Sequence, residues 1–174
     1  MAPEVLSLGT HFRIYFTAYD GMHWKIYWTE SADGVNWEQE SYCIGEWSEN
    51  AVHHVIDPCV MEMGGGYRLY CTCLADTEAY ICYSDSVDGR QWSDLQRCKG
   101  YRREGARFVR NPNVIAIDGG RWRMYFAETA LVSALNSRIV SAVSNDGVLW
   151  VREEGARISP GGQFDRQGAF CPDV

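Results

Sequence analysis

Two groups of residues have types and spacings that invite a chemical reading. Cys71, Cys73 and Cys82 lie close together, and thiolates are soft metal ligands. Their spacing fits no usual zinc pattern, and cysteine is also a common small apolar core residue. No metal is expected there. The second group is a phrase of seven residues, Ser-x-Asp-Gly-x-x-Trp, which occurs at Ser31 to Trp37, Ser86 to Trp92 and Ser144 to Trp150. A carboxylate beside a hydroxyl can act on a substrate, but Asp-Gly is also a hairpin-turn signal. Glycine accepts a positive φ, and aspartate bonds nearby backbone N–H groups. The serine hydroxyl can close the same turn, and the tryptophan can fold back over it and pack between units. The phrase is therefore expected to be a structural staple, one for each unit.

The elements that carry it repeat as well. Ala2-Pro-Glu-Val5, Asp57-Pro-Cys-Val60, Asn111-Pro-Asn-Val114 and Cys171-Pro-Asp-Val174 share x-Pro-x-Val, and an aromatic-Arg-aliphatic-Tyr marker recurs at Phe12 to Tyr15, Tyr67 to Tyr70 and Trp122 to Tyr125. Three markers kept in one order exclude chance. Each unit reads as four short strands. The first carries Pro-x-Val, from Pro3 to Leu8, Asp57 to Met63 and Pro112 to Ile117. A glycine-rich hairpin leads to the aromatic-Arg strand. The third strand runs Trp24 to Trp28, Ala79 to Tyr83 or Arg138 to Ala142. After the Ser-x-Asp-Gly turn, a short fourth strand is expected to start at Trp37, Trp92 or Trp150. No stretch has the apolar spacing of a helix.

Four-stranded antiparallel units at this period predict an all-β fold, a β-propeller built of stacked blades. A two-sheet sandwich does not explain the repeat. Blade units fall at 2–50, 51–105 and 106–165, and 166–174 opens a fourth, all within a single partial domain over 1–174. Three blades cannot close a ring, and an open end leaves an apolar blade face unpaired. Copies joined through their terminal blades as a homo-oligomer, or membership of a longer chain, are the two expected solutions.

Composition bounds the partners. Apolar residues make up 46% and charged residues 22%, with seven Trp and ten Tyr, so the chain can build a core. A net charge of −7 without a basic cluster disfavours nucleic acid, and no apolar run is long enough for a membrane helix. Seven cysteines, an odd number, and a start unlike a secretory segment lead to an expectation of reduced thiols in the cytoplasm.

The x-Pro-x-Val, Tyr-Arg-Leu-Tyr and S-x-D-G-x-x-W markers resemble those of the five-bladed β-propeller superfamily of arabinanases, β-xylosidases, invertases, levansucrases and mannoside phosphorylases. The resemblance covers nearly the whole chain and implies a carbohydrate ligand in an axial funnel, with no cofactor. It places the funnel where first strands begin and second strands end, which collects Ala2, Asp57, Asn111 and Cys171 with Thr17, Thr72, Ala127 and Glu128. Hydrolytic members use an Asp as nucleophile or base, a second Asp that tunes it, and a Glu as general acid. Carried over, Asp57 takes the place of the first Asp and Glu128 that of the acid, on the expectation that burial raises its pKa. Asn111, within Arg110-Asn-Pro112, stands where a second Asp belongs. It keeps a hydrogen-bonding group and loses the charge. Asp57 also reads as a turn cap before proline, where extended backbone is preferred, and Glu128 as a solvated strand end.

Arg110, His53 and His54 are the further ligand-binding candidates, since a guanidinium can bind hydroxyls or a carboxylate bidentately. Arg13, Arg68 and Arg123 repeat with the fold and are assigned to structure. Trp24, Trp47 and Trp122 have faces suited to sugar rings. Trp122 belongs to the core first, and Trp47 is the better rim platform. Three functions follow: a glycosidase-like protein, a non-catalytic carbohydrate-binding propeller, or an interaction module.

Overall fold

The computed structural model describes residues 3–45, 52–129, 136–162 and 168–174. The first sheet orders β1 (Glu4–Ser7), β2 (Phe12–Tyr19), β3 (Trp24–Ser31) and β4 (Ser41–Ile44). The second blade contains β5 (Val52–Met63), β6 (Gly66–Ala75), β7 (Ala79–Ser86) and β8 (Gln96–Arg97). The third contains β9 (Phe108–Ile117), β10 (Arg121–Thr129), β11 (Arg138–Ser144) and β12 (Trp150–Arg152). Every pairing within a blade is antiparallel, and one parallel pair, Ala79 with Phe108, joins the second blade to the third. No helix among the described residues is long and apolar enough to cross a membrane. The all-β, partial propeller expected from the repeat is the observed fold.

Two-residue alternation divides each second strand between its neighbours. Leu69, Cys71 and Cys73 face the first blade, in a cluster with Tyr15, Ile26 and Val55. Tyr70 faces the third blade, in a cluster with Met124, Phe126 and Trp150. Fully burying such a side chain is worth about 1.5–3 kcal/mol, so each of these two seams contributes substantially to stability. Cys71, Cys73 and Cys82 are core residues of the first seam. Among the described residues no three His, Cys, Asp or Glu side chains are grouped to hold a metal ion.

The repeated phrase forms the expected turn and also a joint between blades. Each serine hydroxyl accepts from the glycine N–H: Ser31 from Gly34 at 2.9 Å, Ser86 from Gly89 at 2.8 Å and Ser144 from Gly147 at 2.8 Å. Each aspartate accepts two further N–H groups, as Asp88 Oδ1 does from Arg90 at 2.8 Å and Gln91 at 2.9 Å. The glycines hold φ of 74°, 69° and 72°, a region open to glycine at little cost. The turn then docks on the preceding blade. Arg13 donates to the Asp88 carbonyl at 2.8 Å and Tyr15 to the Gly89 carbonyl at 2.6 Å. One blade on, Arg68 donates to the Asp146 carbonyl at 2.7 Å and Tyr70 to the Gly147 carbonyl at 2.9 Å. Trp92 meets Tyr15 edge-on, and Trp150 meets Tyr70 likewise, each at 5.9 Å between centroids. The repeated arginines are structural, as their periodicity suggested.

The fourth strands correct one expectation. Only β12 starts at its tryptophan; β4 and β8 start four residues after Trp37 and Trp92. There the chain stays in the turn for longer: Glu38 donates to the Glu30 carbonyl and Ser93 to the Asp85 carbonyl, each at 2.9 Å, before pairing resumes. The first strands of the second and third blades are longer than expected, since His53 and His54 lie within β5 and Arg110 within β9, while β1 is shorter than the expected Pro3 to Leu8.

Candidate functional site

The x-Pro steps interrupt the first strands. In β5 the register shifts between Ile56 and Cys59, and in β9 it shifts where Arg110 pairs with Ala127 and Asn113 with Tyr125. Each interruption is a bulge. At its head Asp57 has φ 58° and Asn111 φ 54°, and Cys171, which precedes the last x-Pro step outside any strand, has φ 54°. This overturns the extended backbone expected before proline. Asp and Asn tolerate the left-handed region better than most residues, and strain of this kind costs about 1–3 kcal/mol and is concentrated at functional sites.

Threonines at the ends of the second strands hold these bulges across the seams. Asp57 N–H donates to Thr17 Oγ1 at 3.2 Å, and Asn111 N–H to Thr72 Oγ1 at 2.9 Å. Thr72 then donates its proton to Asp57 Oδ2 at 3.0 Å. The other carboxylate oxygen, Oδ1, is buried and accepts no hydrogen bond from the described residues. Burial raises the Asp57 pKa above the ordinary carboxylate value, with the Thr72 bond, the Arg110 charge and the Asn111 side chain working against it.

Asp57 lies between two cavities. A narrow axial one, about 50 Å³, is walled by Pro3-Glu4 and by the x-Pro-x steps at Asp57, Asn111 and Cys171. A wider one, about 260 Å³, is lined by Asp57, Arg110, Asn111, Thr129, Ser137 and Phe170 among others. This is close to the small end of ligand pockets, roughly 300–1,000 Å³. Arg110 sits over the Phe108 ring at 5.5 Å, and its Nε is buried without a hydrogen-bond partner. Burial lowers its pKa, and Asp57 opposes that. A guanidinium, an amide and a carboxyl thus line one hollow. Such a set suits the hydroxyls of a polar ligand.

Asp57, Arg110 and Asn111 are therefore brought together, and the other candidates are not. Ala127 and Thr129 face the wider cavity, so Glu128 between them points to the opposite side of β10. There it is only 2% exposed, and it accepts from Arg138 at 2.8 Å and Arg152 at 2.7 Å, with Arg103 at 3.4 Å. The carboxylate expected to act as general acid is the hub of an ion cluster, on the other side of β10 from the cavity that Asp57 lines. His53 is exposed and pairs with Asp76 at 2.9 Å, while His54 Nδ1 accepts from the Trp24 N–H at 3.1 Å. Both lie at the seam of the first two blades, away from the cavities, and Trp24 packs there on Tyr19 at 5.1 Å. Trp47 and Ala2 lie outside the described residues.

The sequence reading passed over residues on the far side of each proline. Glu4, Cys59, Asn113 and Asp173 occupy one repeat position and all line the axial cavity. Burial, with the neighbouring Asp173 charge, raises the Glu4 pKa to about 7. The x-Pro-x-Val alignment held the signal, since three of its four variable residues are polar.

The class is now set by the coordinates: a partial β-propeller whose blade bulges converge on an axial hollow. No family model and no curated protein sequence matches the chain. Solved structures do, and their likeness is one of fold. An N-acetylgalactosamine deacetylase from F. plautii, in complex with a blood group B trisaccharide, superposes with a TM-score of 0.74 at 14% identity, over 92% of this chain and 53% of its own. A thermostable family-43 glycoside hydrolase gives 0.73 at 15%, over 94% and 54%. The endo-arabinase of Bacteroides thetaiotaomicron gives 0.72 at 16%, over 90% and 55%. The chain shares the fold of these propeller enzymes and spans about half of each.

Proposed function

We propose that the chain binds a carbohydrate in the hollow beside Asp57, with Asp57, Arg110 and Asn111 as its polar contacts. One observation carries the reading: Asp57, whose Oδ1 is buried and accepts no hydrogen bond from the described residues, stands at a strained bulge and lines the cavity with Arg110 and Asn111. An unfilled acceptor of this kind costs about 1–3 kcal/mol, which a ligand hydroxyl would recover. The trisaccharide bound by one structural neighbour supports the ligand class.

Binding without hydrolysis is favoured over a competent hydrolase. Glycoside hydrolysis needs two carboxyl groups flanking the bond, about 5–5.5 Å or 6.5–9.5 Å apart. In the wider cavity Asn111 stands where the second would be, and Glu128 is turned away. The free thiols, six of seven buried, suit a reducing compartment, the cytoplasm.

Calorimetry against a panel of neutral and acidic oligosaccharides, with aryl glycosides screened for turnover, tests the reading. Saturable binding weakened at least tenfold by both Asp57→Asn and Arg110→Ala is expected, without turnover. Turnover abolished by Asp57→Asn would establish the hydrolase instead. No binding across the panel would remove both.

A further inference from the structure

Eight of the described arginines are at least partly buried, and seven of them are paired. Arg13, Arg68, Arg97, Arg102, Arg123, Arg138 and Arg152 each hold a carboxylate at 2.6–3.3 Å. Arg110 is the eighth. Its Nε is buried without a partner, and its guanidinium makes no hydrogen bond or ion pair with a described residue. The Phe108 ring lies 5.5 Å from it, but an aromatic face offsets a buried charge less than a carboxylate does. At Arg13 and Arg97 burial also acts to lower the pKa, yet bonds to Tyr15 and Glu30 in one and to Glu78 in the other outweigh it. At Arg110 burial prevails, with Asp57 opposing it.

The same end of β10 gathers positive charge that the sequence spreads out. Ala127 pairs with Arg110, and the next residue, Glu128, with Val109. Glu128 Oε1 accepts from Arg138 Nη2 at 2.8 Å, Arg138 Nε at 3.2 Å and Arg152 Nη2 at 3.2 Å, with Arg103 Nε at 3.4 Å. Oε2 accepts from Arg152 Nη1 at 2.7 Å. Five N–H groups thus crowd a carboxylate that offers about four acceptor sites. Three guanidiniums surround Glu128, and Arg110 is the arginine whose charge acts on Asp57. Four cations therefore stand against two carboxylates, in a chain of net charge −7. A local field of this sign concentrates anions.

We infer that the ligand of the hollow is an anionic saccharide, whose carboxylate or sulfate group pairs with Arg110. This rests on the carbohydrate site proposed above and narrows its ligand class. Such a group can take two parallel N–H bonds from one guanidinium, whereas the hydroxyls of a neutral sugar leave the charge unbalanced. Asn111 adds an amide to the cavity wall and no charge. Asp57, the acid among the described lining residues, is bonded to Thr72 and shifted by burial toward its protonated form, so it opposes an incoming anion less than an exposed carboxylate would.

Calorimetry on the full chain tests this with two matched pairs: an oligogalacturonate against its methyl ester, and a sulfated galactan oligosaccharide against its desulfated form. In at least one pair the acidic member is expected to bind at least about tenfold tighter than the neutral one. Its affinity is expected to fall as salt rises from about 50 to 500 mM. Arg110→Gln is expected to bring both members to one weak affinity and to spare the melting temperature, because no buried pair is broken. Arg97→Gln, which does break one, is the control for a loss of stability. The pair that shows the preference tells a carboxylate ligand from a sulfated one. Acidic and neutral members bound alike overturn the proposal and leave the carbohydrate reading in place. No binding by any of the four also overturns it, and the wider panel then decides the carbohydrate reading alone. A preference that survives Arg110→Gln overturns it too, as does a melting temperature lowered as much as by Arg97→Gln.

Discussion

Thr72 binds two blades through one oxygen: it accepts the Asn111 N–H and donates to Asp57. Thr72→Val keeps the shape and strands both partners, which predicts a loss of about 1–3 kcal/mol in urea unfolding. It also removes the Thr72 bond to the Asp57 carboxylate, so ligand affinity is expected to change with stability. Glu4 gives a pH signature of its own. Its folded pKa, raised from 4.5 to about 7, means that the folded chain holds a proton the unfolded chain has lost. The stability from this group is fully present below about pH 4.5 and is lost as pH rises through about 7. Melting temperature is therefore expected to fall between pH 5 and pH 8 (roughly the flanks of that window), and Glu4→Gln to flatten the fall. At this scale the sequence was only partly legible. It pointed to Asp57 through x-Pro-x-Val, but not to its left-handed φ, because proline ordinarily keeps its predecessor extended. The placement of Glu128 away from the cavity was not legible, because a strand's end fixes where a residue lies and its alternation fixes where it points. A single residue of phase separates the cavity from the ion cluster.

The elements were far more legible, since each marker has a mechanical duty that only certain residues fulfil. Asp-Gly closes a hairpin, the arginine and tyrosine reach the next blade, and the tryptophan fills the seam. What escaped was that the phrase served two purposes: the bonds inside the turn can be inferred from one unit, but its docking partner sits in another. The start of the fourth strand was missed for a related reason, as the turn extends through Glu38 and Ser93 before β4 and β8 begin. Three glycines with nearly equal φ offer a clean comparison. Gly34→Ala meets only the cost of positive φ, about 1 kcal/mol. Gly147→Ala adds an overlap with Arg68 and Tyr70 and is expected to cost at least about 2 kcal/mol more. Equal losses in the two variants would mean that the turn does not dock as described.

For the whole molecule, ionisable groups pull in opposite directions along the pH axis. Backbone hydrogen bonds hold Asp88 and Asp146 below the ordinary 3.8. Glu30, Glu78 and Glu153 stay below 4.5 because bonds from arginine or serine outweigh their partial burial. Groups depressed in this way stabilise the fold above their ordinary values and cease to do so as pH falls through the lower ones. With Glu4 acting oppositely, a thermal scan across pH is expected to peak in mild acid and to fall steeply below about pH 4. The acceptors at each joint have another consequence. They are main-chain oxygens of Asp88, Gly89, Asp146 and Gly147, which no point mutation can delete. Side chains around them can drift while the coupling survives, so a gene could gain or lose one whole module without redesigning its neighbours. Ring size in such a lineage would then change by duplication or deletion of about 55 codons, the Pro3 to Pro58 step.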